Sequence, residues 1–358
     1  PCLPTIPVFR REAESLMYVD IKCDKHDGNL YKIIRPDGFK NDELQQWLLS
    51  AFRVSSLTER VNQREEVMIE PAPPAAAQQS FDKTAVKSVM KRVADWQIAN
   101  PNKGAEHDDL DWTHAALYMG MLDWAELTEK EDSDDSYYQW LLRIGQRNHF
   151  QIGKWMYHAD FIAVGQPFID LYLKYGNKKM IAPVMARANW VVENPAETTL
   201  ELDYGKLETL DRWSWCDALF MAPPVYAKLY ALTKDKRYLD FLNKEYKATY
   251  NYLYDKEEHL FYRDHRYFAK REANGKKVFW GRGNGWVLGG LVEILQALPK
   301  DESSRTFYQD LFVALATRVA SLQSADGYWH ASLLDPASYP SPETSATGFI
   351  VYALAYGV

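Results

Sequence analysis

The sequence predicts an all-α fold arranged as an (α/α) barrel or toroid, with a small irregular segment at the N-terminus. Three observations predict it. From Phe81 onward, apolar residues recur at helical spacing almost without a break. Amphipathic segments alternate with segments apolar nearly all round, and a helix of the second kind must be enclosed on every side. The apolar segments begin near positions 114, 160, 217, 286 and 348, at intervals of 46, 57, 69 and 62. An α-solenoid also alternates helix pairs, but it keeps a tighter period than this.

The elements follow in order. Residues 1–79 stand apart from residues 80–358. Within the first segment, 20–36 reads as strand and turn around Asp27-Gly28, and 42–52 as one helix with Leu44, Trp47, Leu48 and Phe52 in phase. PAPPAAAQQ at 71–79 reads as a linker. The helical domain opens with an amphipathic helix carrying Val86, Val89, Met90, Val93 and Trp96, ending near Asn100-Pro101. Amphipathic helices are then expected at 137–148, 183–193, 236–254 and 303–323. Apolar helices are expected at 112–127, 160–175, 217–232, 286–298 and 344–356. Pro167 is placed to kink the second of these.

Composition narrows the function. The 358 residues carry 42 basic and 49 acidic side chains, a formal charge of −7, which argues against a nucleic-acid face. No apolar run approaches the roughly 20 residues needed to span a bilayer. Three cysteines, Cys2, Cys23 and Cys216, lack metal-ligand spacing and are too few for a disulfide scaffold. No signal peptide is visible after Pro1, and the compartment is left between bacterial cytoplasm and periplasm. A monomer without metal or cofactor is expected. Aromatic residues are in excess at 14%, with 12 Trp and 23 Tyr.

In an (α/α) toroid the inner-helix N-termini converge on one mouth, where unpaired N–H groups favour an anionic ligand. The segments at those positions are rich in Trp and in charge: HDDLDWTH (107–114), WMYHAD (155–160), RWSWCD (212–217), WGRGNGW (280–286) and SPETS (341–345). Aromatic faces stack on sugar rings, and carboxylates supply acid–base chemistry, so the pattern fits a carbohydrate cleft. Asp217 is the sharpest candidate, because a carboxyl between an aromatic run and an apolar helix is desolvated and held protonated. Asp160 is the same case one helix earlier. Each is also a favoured N-cap residue, which is the ordinary structural reason for Asp at such a place. Arg282, in a glycine-rich loop, can grip a carboxylate or make a structural ion pair. His114 and His265 can bind sugar hydroxyls or the backbone. His158 reads as a supporting or surface residue, and Glu343 also reads as a helix start.

Four stretches carry a family resemblance: RWSWCDALFMAPP (212–224), YDKEEHLF (254–261), VFWGRGNGW (278–286) and ASLLDPASYPSPETSATGF (331–349). They resemble the unsaturated rhamnogalacturonyl hydrolases of glycoside hydrolase family 105, relatives of the unsaturated glucuronyl hydrolases of family 88. The resemblance implies an (α/α)6 barrel without cofactor. It implies as substrate a lyase-generated pectin oligosaccharide ending in a Δ4,5-unsaturated uronyl residue, which is removed by hydrating its enol ether. It implies Asp217 as the acid/base and Asp160 as the second active-site Asp. Trp112, His114, Trp213, Trp215, His265, Arg282, Asn284 and Trp286 are expected to line the substrate pocket.

Two departures go with it. Relatives carry a paired Asp where this chain has Asp160-Phe161, and only five outer–inner helix pairs are counted where the barrel has six. Two other readings stay open beside the hydrolase. One is a degenerate sugar-binding relative, and the other is a conventional glycosidase using Asp160 and Asp217 as a pair.

Overall fold

A computed structural model describes residues 6–8, 17–23, 30–34, 82–101 and 107–358. The chain divides into two compact units, Pro1–Asp82 and Lys83–Val358. In the first, β1 (Ile6–Val8), β2 (Met17–Cys23) and β3 (Leu30–Ile34) form an antiparallel sheet in the order β1-β2-β3. Ile6 lies opposite Val19 and Ile21 opposite Ile33, with a register shift between Lys22 and Cys23. Strand β3 and part of β2 fall in the stretch read as strand and turn. Strand β1 has only three residues, too few to show an alternation in sequence. The helix expected at 42–52 and the linker at 71–79 lie outside the described residues.

The second unit is helical: α1 (Lys83–Ala99), α2 (Trp112–Asp132), α3 (Ser136–Arg147), α4 (Ala159–Ile162), α5 (Gly165–Tyr175) and α6 (Ala182–Glu193) come first. Then follow α7 (Ala218–Met221), α8 (Pro223–Thr233), α9 (Lys236–Leu253), α10 (Gly281–Ala297), α11 (Arg305–Ala320) and α12 (Thr344–Gly357). A two-residue-strand hairpin, β4 (Tyr254–Asp255) and β5 (Leu260–Phe261), follows α9.

Two of the expected helices are broken. The second apolar helix parts at Ala163-Val164 into α4 and α5. Pro167 lacks an N–H and its ring crowds the carbonyl four residues back, at Ala163, which puts the break there. The third parts at Ala222 into α7 and α8, because Pro223-Pro224 removes two successive donors and suits a new helix start. The fourth starts earlier than expected. Gly281, Gly283 and Gly285 are not a loop but the first turns of α10. A Cβ on Gly281 would stand 2.4 Å from the His330 carbonyl oxygen, and one on Gly283 would stand 2.8 Å from Cys216 Sγ. Close packing, not loop freedom, explains the glycines.

The alternation of helix types becomes an arrangement in space. Helix α2 packs on α3 and α5, α5 on α8, α8 on α9 and α10, and α10 on α11 and α12. Of the 17 residues of α10, 14 are buried, as an enclosed helix requires. Two faces depart from the expectation. Helix α12 is apolar all round yet buries only Ala346, Ile350 and Ala353 and leaves Val351 exposed. On α1 the apolar stripe Val86, Val89, Met90, Val93 and Trp96 is exposed, and Ala94 is the buried residue. A cavity of about 330 Å³ separates α2 from α12, lined by Ala116, Met119 and Gly120 on one side and Ser345, Gly348 and Phe349 on the other. Among the described residues, none outside the glycine's own stretch of helix lies within 4 Å of where a Cβ would stand on Gly120 or Gly348.

Candidate active site

The N-terminal ends of α2, α4 and α7 meet around a cavity of about 150 Å³. Trp112, His158, Asp160, Tyr204, Leu210, Trp215, Asp217, Met221 and Arg263 line it. Each chemical side chain is placed by a local device. Asp111 caps α2 by accepting the Thr113 N–H at 2.9 Å, which fixes Trp112 as the first helical residue. His158 caps α4, its Nδ1 accepting the Asp160 N–H at 3.2 Å. Asp160 is therefore not the cap, and its carboxylate is left to the cavity.

Asp217 occupies the N-cap position of α7 but accepts no capping hydrogen bond from the helix. The segment before it is pinned. Ser214 Oγ donates to the Thr209 carbonyl at 2.7 Å, and the Cys216 N–H donates to the Arg263 carbonyl at 2.8 Å. The Cys216 thiol donates to Asp217 Oδ1 at 3.3 Å. The ordinary structural reason for Asp at a helix start thus applies to neither carboxylate.

Electrostatics raise the pKa of both acids. Burial pushes the Asp160 carboxyl up to about 7, and the neighbouring Asp217 charge adds to the effect. Burial raises Asp217 as well, while the guanidinium of Arg263 pulls it back. His158 is pushed down to about 4 by burial, so near neutral pH it is an uncharged ring. It is wedged between Trp215, at 5.0 Å between ring centres, and Phe161, at 5.3 Å.

Phe161 itself stacks on Trp155 at 5.2 Å and fills the space above Gly153, where a Cβ would come within 2.3 Å of its ring. The Phe in the paired-Asp position therefore packs behind the cavity, and Asp160 is the member of the pair that lines it.

Of the residues singled out in sequence, Asp160, Asp217, Trp112 and Trp215 line the cavity. Trp286 is buried behind it, edge-on to Trp112 at 5.7 Å and packed on Phe220 and Phe349. The others sit elsewhere. Arg282 pairs with Glu343 at 3.1 Å and lies over the Trp280 ring at 4.3 Å. Asn284 is fully buried and ties down the Phe261 backbone, accepting its N–H at 2.8 Å and donating to its carbonyl at 3.1 Å. His265 Nδ1 accepts the Leu202 N–H at 3.0 Å. His114 stacks on Tyr118, and its Nδ1 is 2.6 Å from the Asp108 carbonyl oxygen, in a separate cavity with Asp109 and Arg147. Trp213 is buried against Tyr226 and Phe241. Five lining residues were missed, among them the apolar Leu210 and Met221 and three that carry polar groups. His158 was read as peripheral. Arg263 and Tyr204 lie in irregular segments whose sequence carries no period.

Among the described residues no three His, Cys, Asp or Glu side chains come together in a way that could hold a metal ion. No helix among them is long and apolar enough to cross a membrane.

A family model described as Glycosyl Hydrolase Family 88 matches residues 84–358. The chain belongs to this family. An unsaturated 3S-rhamnoglycuronyl hydrolase of Formosa agariphila is 38% identical over 293 residues, covering 79% of this chain and 75% of that protein. One of the same name from an Alteromonas species is 34% identical, covering 78% and 71%. A solved family 88 glycosyl hydrolase from Bacteroides vulgatus is 28% identical, with a TM-score of 0.63, covering 76% of this chain and 78% of that one. The chain is thus a family 88 glycoside hydrolase with the helical fold of that family.

Proposed function

We propose that the chain hydrolyses a Δ4,5-unsaturated uronyl residue from the non-reducing end of a lyase-cleaved oligosaccharide, with Asp217 as acid and base. The observation that carries this is the pairing of two acids with raised pKa values in one aromatic-walled cavity, in a member of family 88. The enol ether sets the chemistry. Asp217 gives its proton to C4, and the cation that develops at C5 is stabilised by the ring oxygen. Water adds at C5 and returns a proton to the Asp217 carboxylate, so the acid is regenerated. The resulting hemiketal opens, and the glycosidic bond is lost in the collapse at C1. Asp160, half-protonated near neutral pH, can donate a hydrogen bond to a sugar hydroxyl while limiting the negative charge beside Asp217. Trp112 and Trp215 supply ring faces for stacking.

We read the polymer as a rhamnose–uronate chain, and the names of the two relatives favour a rhamnoglycuronyl over a rhamnogalacturonyl substrate. We read the fold as an (α/α)6 barrel in which the cavity between α2 and α12 marks one hairpin's place.

The test is loss of the enol-ether absorbance with unsaturated rhamnoglycuronyl and rhamnogalacturonyl disaccharides, together with the release of reducing sugar from them and from their saturated counterparts. Turnover of unsaturated substrates alone is expected, and Asp217→Asn should lower it by at least about 10³-fold. Hydrolysis of the saturated sugars would instead indicate displacement by a carboxylate pair.

A further inference from the structure

We propose that Arg263, not the Arg282 of the glycine-rich motif, binds the carboxylate of the unsaturated uronyl residue. The inference rests on the functional reading above and specifies which cation meets the substrate's charge.

The argument begins with charge. Asp160 and Asp217 share the cavity, and whatever negative charge they carry opposes an anionic sugar entering it. Among the residues lining the cavity, Arg263 is the cation, because His158 is an uncharged ring. Arg282 does not line it and is paired with Glu343, and its charge acts on Asp217 more weakly than that of Arg263.

The surroundings of Arg263 leave a positive charge over. Its Nη1 donates to Asp264 Oδ2 at 2.5 Å and its Nη2 donates to Tyr204 Oη at 3.0 Å. Asp264 is fully buried and is also held by Arg266, through Nε at 2.8 Å and Nη2 at 2.9 Å. Two guanidinium groups therefore share one carboxylate, and the group keeps one net positive charge. That charge complements one substrate carboxylate. Arg263 keeps N–H donors beyond these two bonds, and a guanidinium binds a carboxylate through two parallel N–H groups.

Position completes the argument. The Arg263 carbonyl accepts the Cys216 N–H at 2.8 Å, so its backbone is registered to the residue before Asp217. A carboxylate held by Arg263 is bonded to C5, the carbon next to the C4 that Asp217 protonates. One short segment thus supplies the grip, and the neighbouring one supplies the proton. Tyr204 stands at the mouth, its ring under Arg266 at 4.6 Å, and orients the guanidinium through its hydroxyl.

The test compares an unsaturated uronyl disaccharide with its methyl ester, which keeps the enol ether and loses the charge. The unaltered enzyme is expected to favour the acid in kcat/KM by about 10- to 100-fold, the scale of a charge-assisted paired contact. Arg263→Gln should erase that preference mainly through KM, to within about 3-fold, while Arg282→Gln keeps it. Retention of the preference by Arg263→Gln, or its loss in Arg282→Gln, would overturn the assignment. Should Arg263→Gln not fold, Arg263→Lys keeps the charge without the fork and is expected to raise KM for the acid more than for the ester. Equal effects on both would overturn it. An unaltered enzyme that consumes neither compound would remove the functional reading, and this inference with it. That outcome is distinct from an active enzyme indifferent to Arg263.

Discussion

The thiol of Cys216 points at the carboxylate of its own neighbour, with Sγ 3.3 Å from Asp217 Oδ1. Consecutive residues seldom face one another. Here the turn before α7 allows it, and the Sγ lies where a Cβ on Gly283 would stand, within 2.8 Å. The thiol is fully buried and its pKa is pushed up, so it remains a neutral donor.

Removal of that donor has a defined consequence. The bond favours the ionised form of Asp217 and so opposes the upward push of burial. In Cys216→Ala the Asp217 carboxyl should hold its proton to higher pH, and the alkaline limb of kcat/KM should move upward. Cys216→Ser, which restores a donor, should move it back. A pH–rate profile of the three proteins checks this, and superimposable profiles would assign the thiol to packing alone.

Asp160 makes stability depend on pH. In the folded chain it keeps its proton up to about pH 7, whereas in an unfolded chain an Asp ionises near pH 4. Between those values the folded state holds a proton that the unfolded state lacks, so rising pH lowers stability. Asp160→Asn, which imitates the neutral form, should therefore melt higher than the parent at pH 8, by about 2–4 °C for each kcal/mol relieved. The difference should vanish near pH 4. Thermal melts across that range provide the measurement.

A second charged cluster is structural. Lys228 on α8 pairs with Asp170 on α5 at 2.6 Å and with Glu293 on α10 at 3.3 Å, and Tyr352 on α12 donates to Glu293 at 2.7 Å. Three helices meet at one ammonium group, and a fourth joins them through Glu293. Lys228→Met leaves the acids facing each other without a cation and should cost about 3–5 kcal/mol. Part of the loss should return on acidification, as the carboxyls take up protons. Denaturant melts at pH 5 and pH 8 check both statements.

Periodicity made the helices legible, because a 3.6-residue repeat survives in sequence whatever the helix packs against. It located α2 and α9 closely, and it placed Asp160 and Asp217 at helix starts. It could not locate the breaks at Ala163 and Ala222 to the residue, since a proline shifts a helix without erasing its apolar pattern. The glycines of α10 misled for a related reason. A glycine chosen for loop freedom and one chosen for close contact look alike until the His330 carbonyl and the Cys216 sulfur are in view. Arg263 and Tyr204 were invisible because nothing periodic marks an irregular segment, and their importance comes from what the fold brings beside them. Trp286 shows the converse. Its motif was read as pocket lining, and it instead backs the Trp112 ring that does line the cavity.

The contact between α10 and the segment carrying Asp217 also determines where this enzyme can change. At Gly290 a Cβ would meet the Leu219 carbonyl oxygen at 2.3 Å, and at Gly281 and Gly283 the clearance is 2.4 and 2.8 Å. A side chain at Gly283 or Gly290 would push the segment carrying Asp217, and one at Gly281 would push the His330 backbone. A mutant library spread along α10 would mostly yield misplaced acids. One confined to Tyr204 and Leu210, which line the cavity from outside α7 and α10, is expected to alter which sugars are accepted while leaving Asp160 and Asp217 in place. The routes open to new specificity run through the wall, and the helix start behind Asp217 is closed to variation.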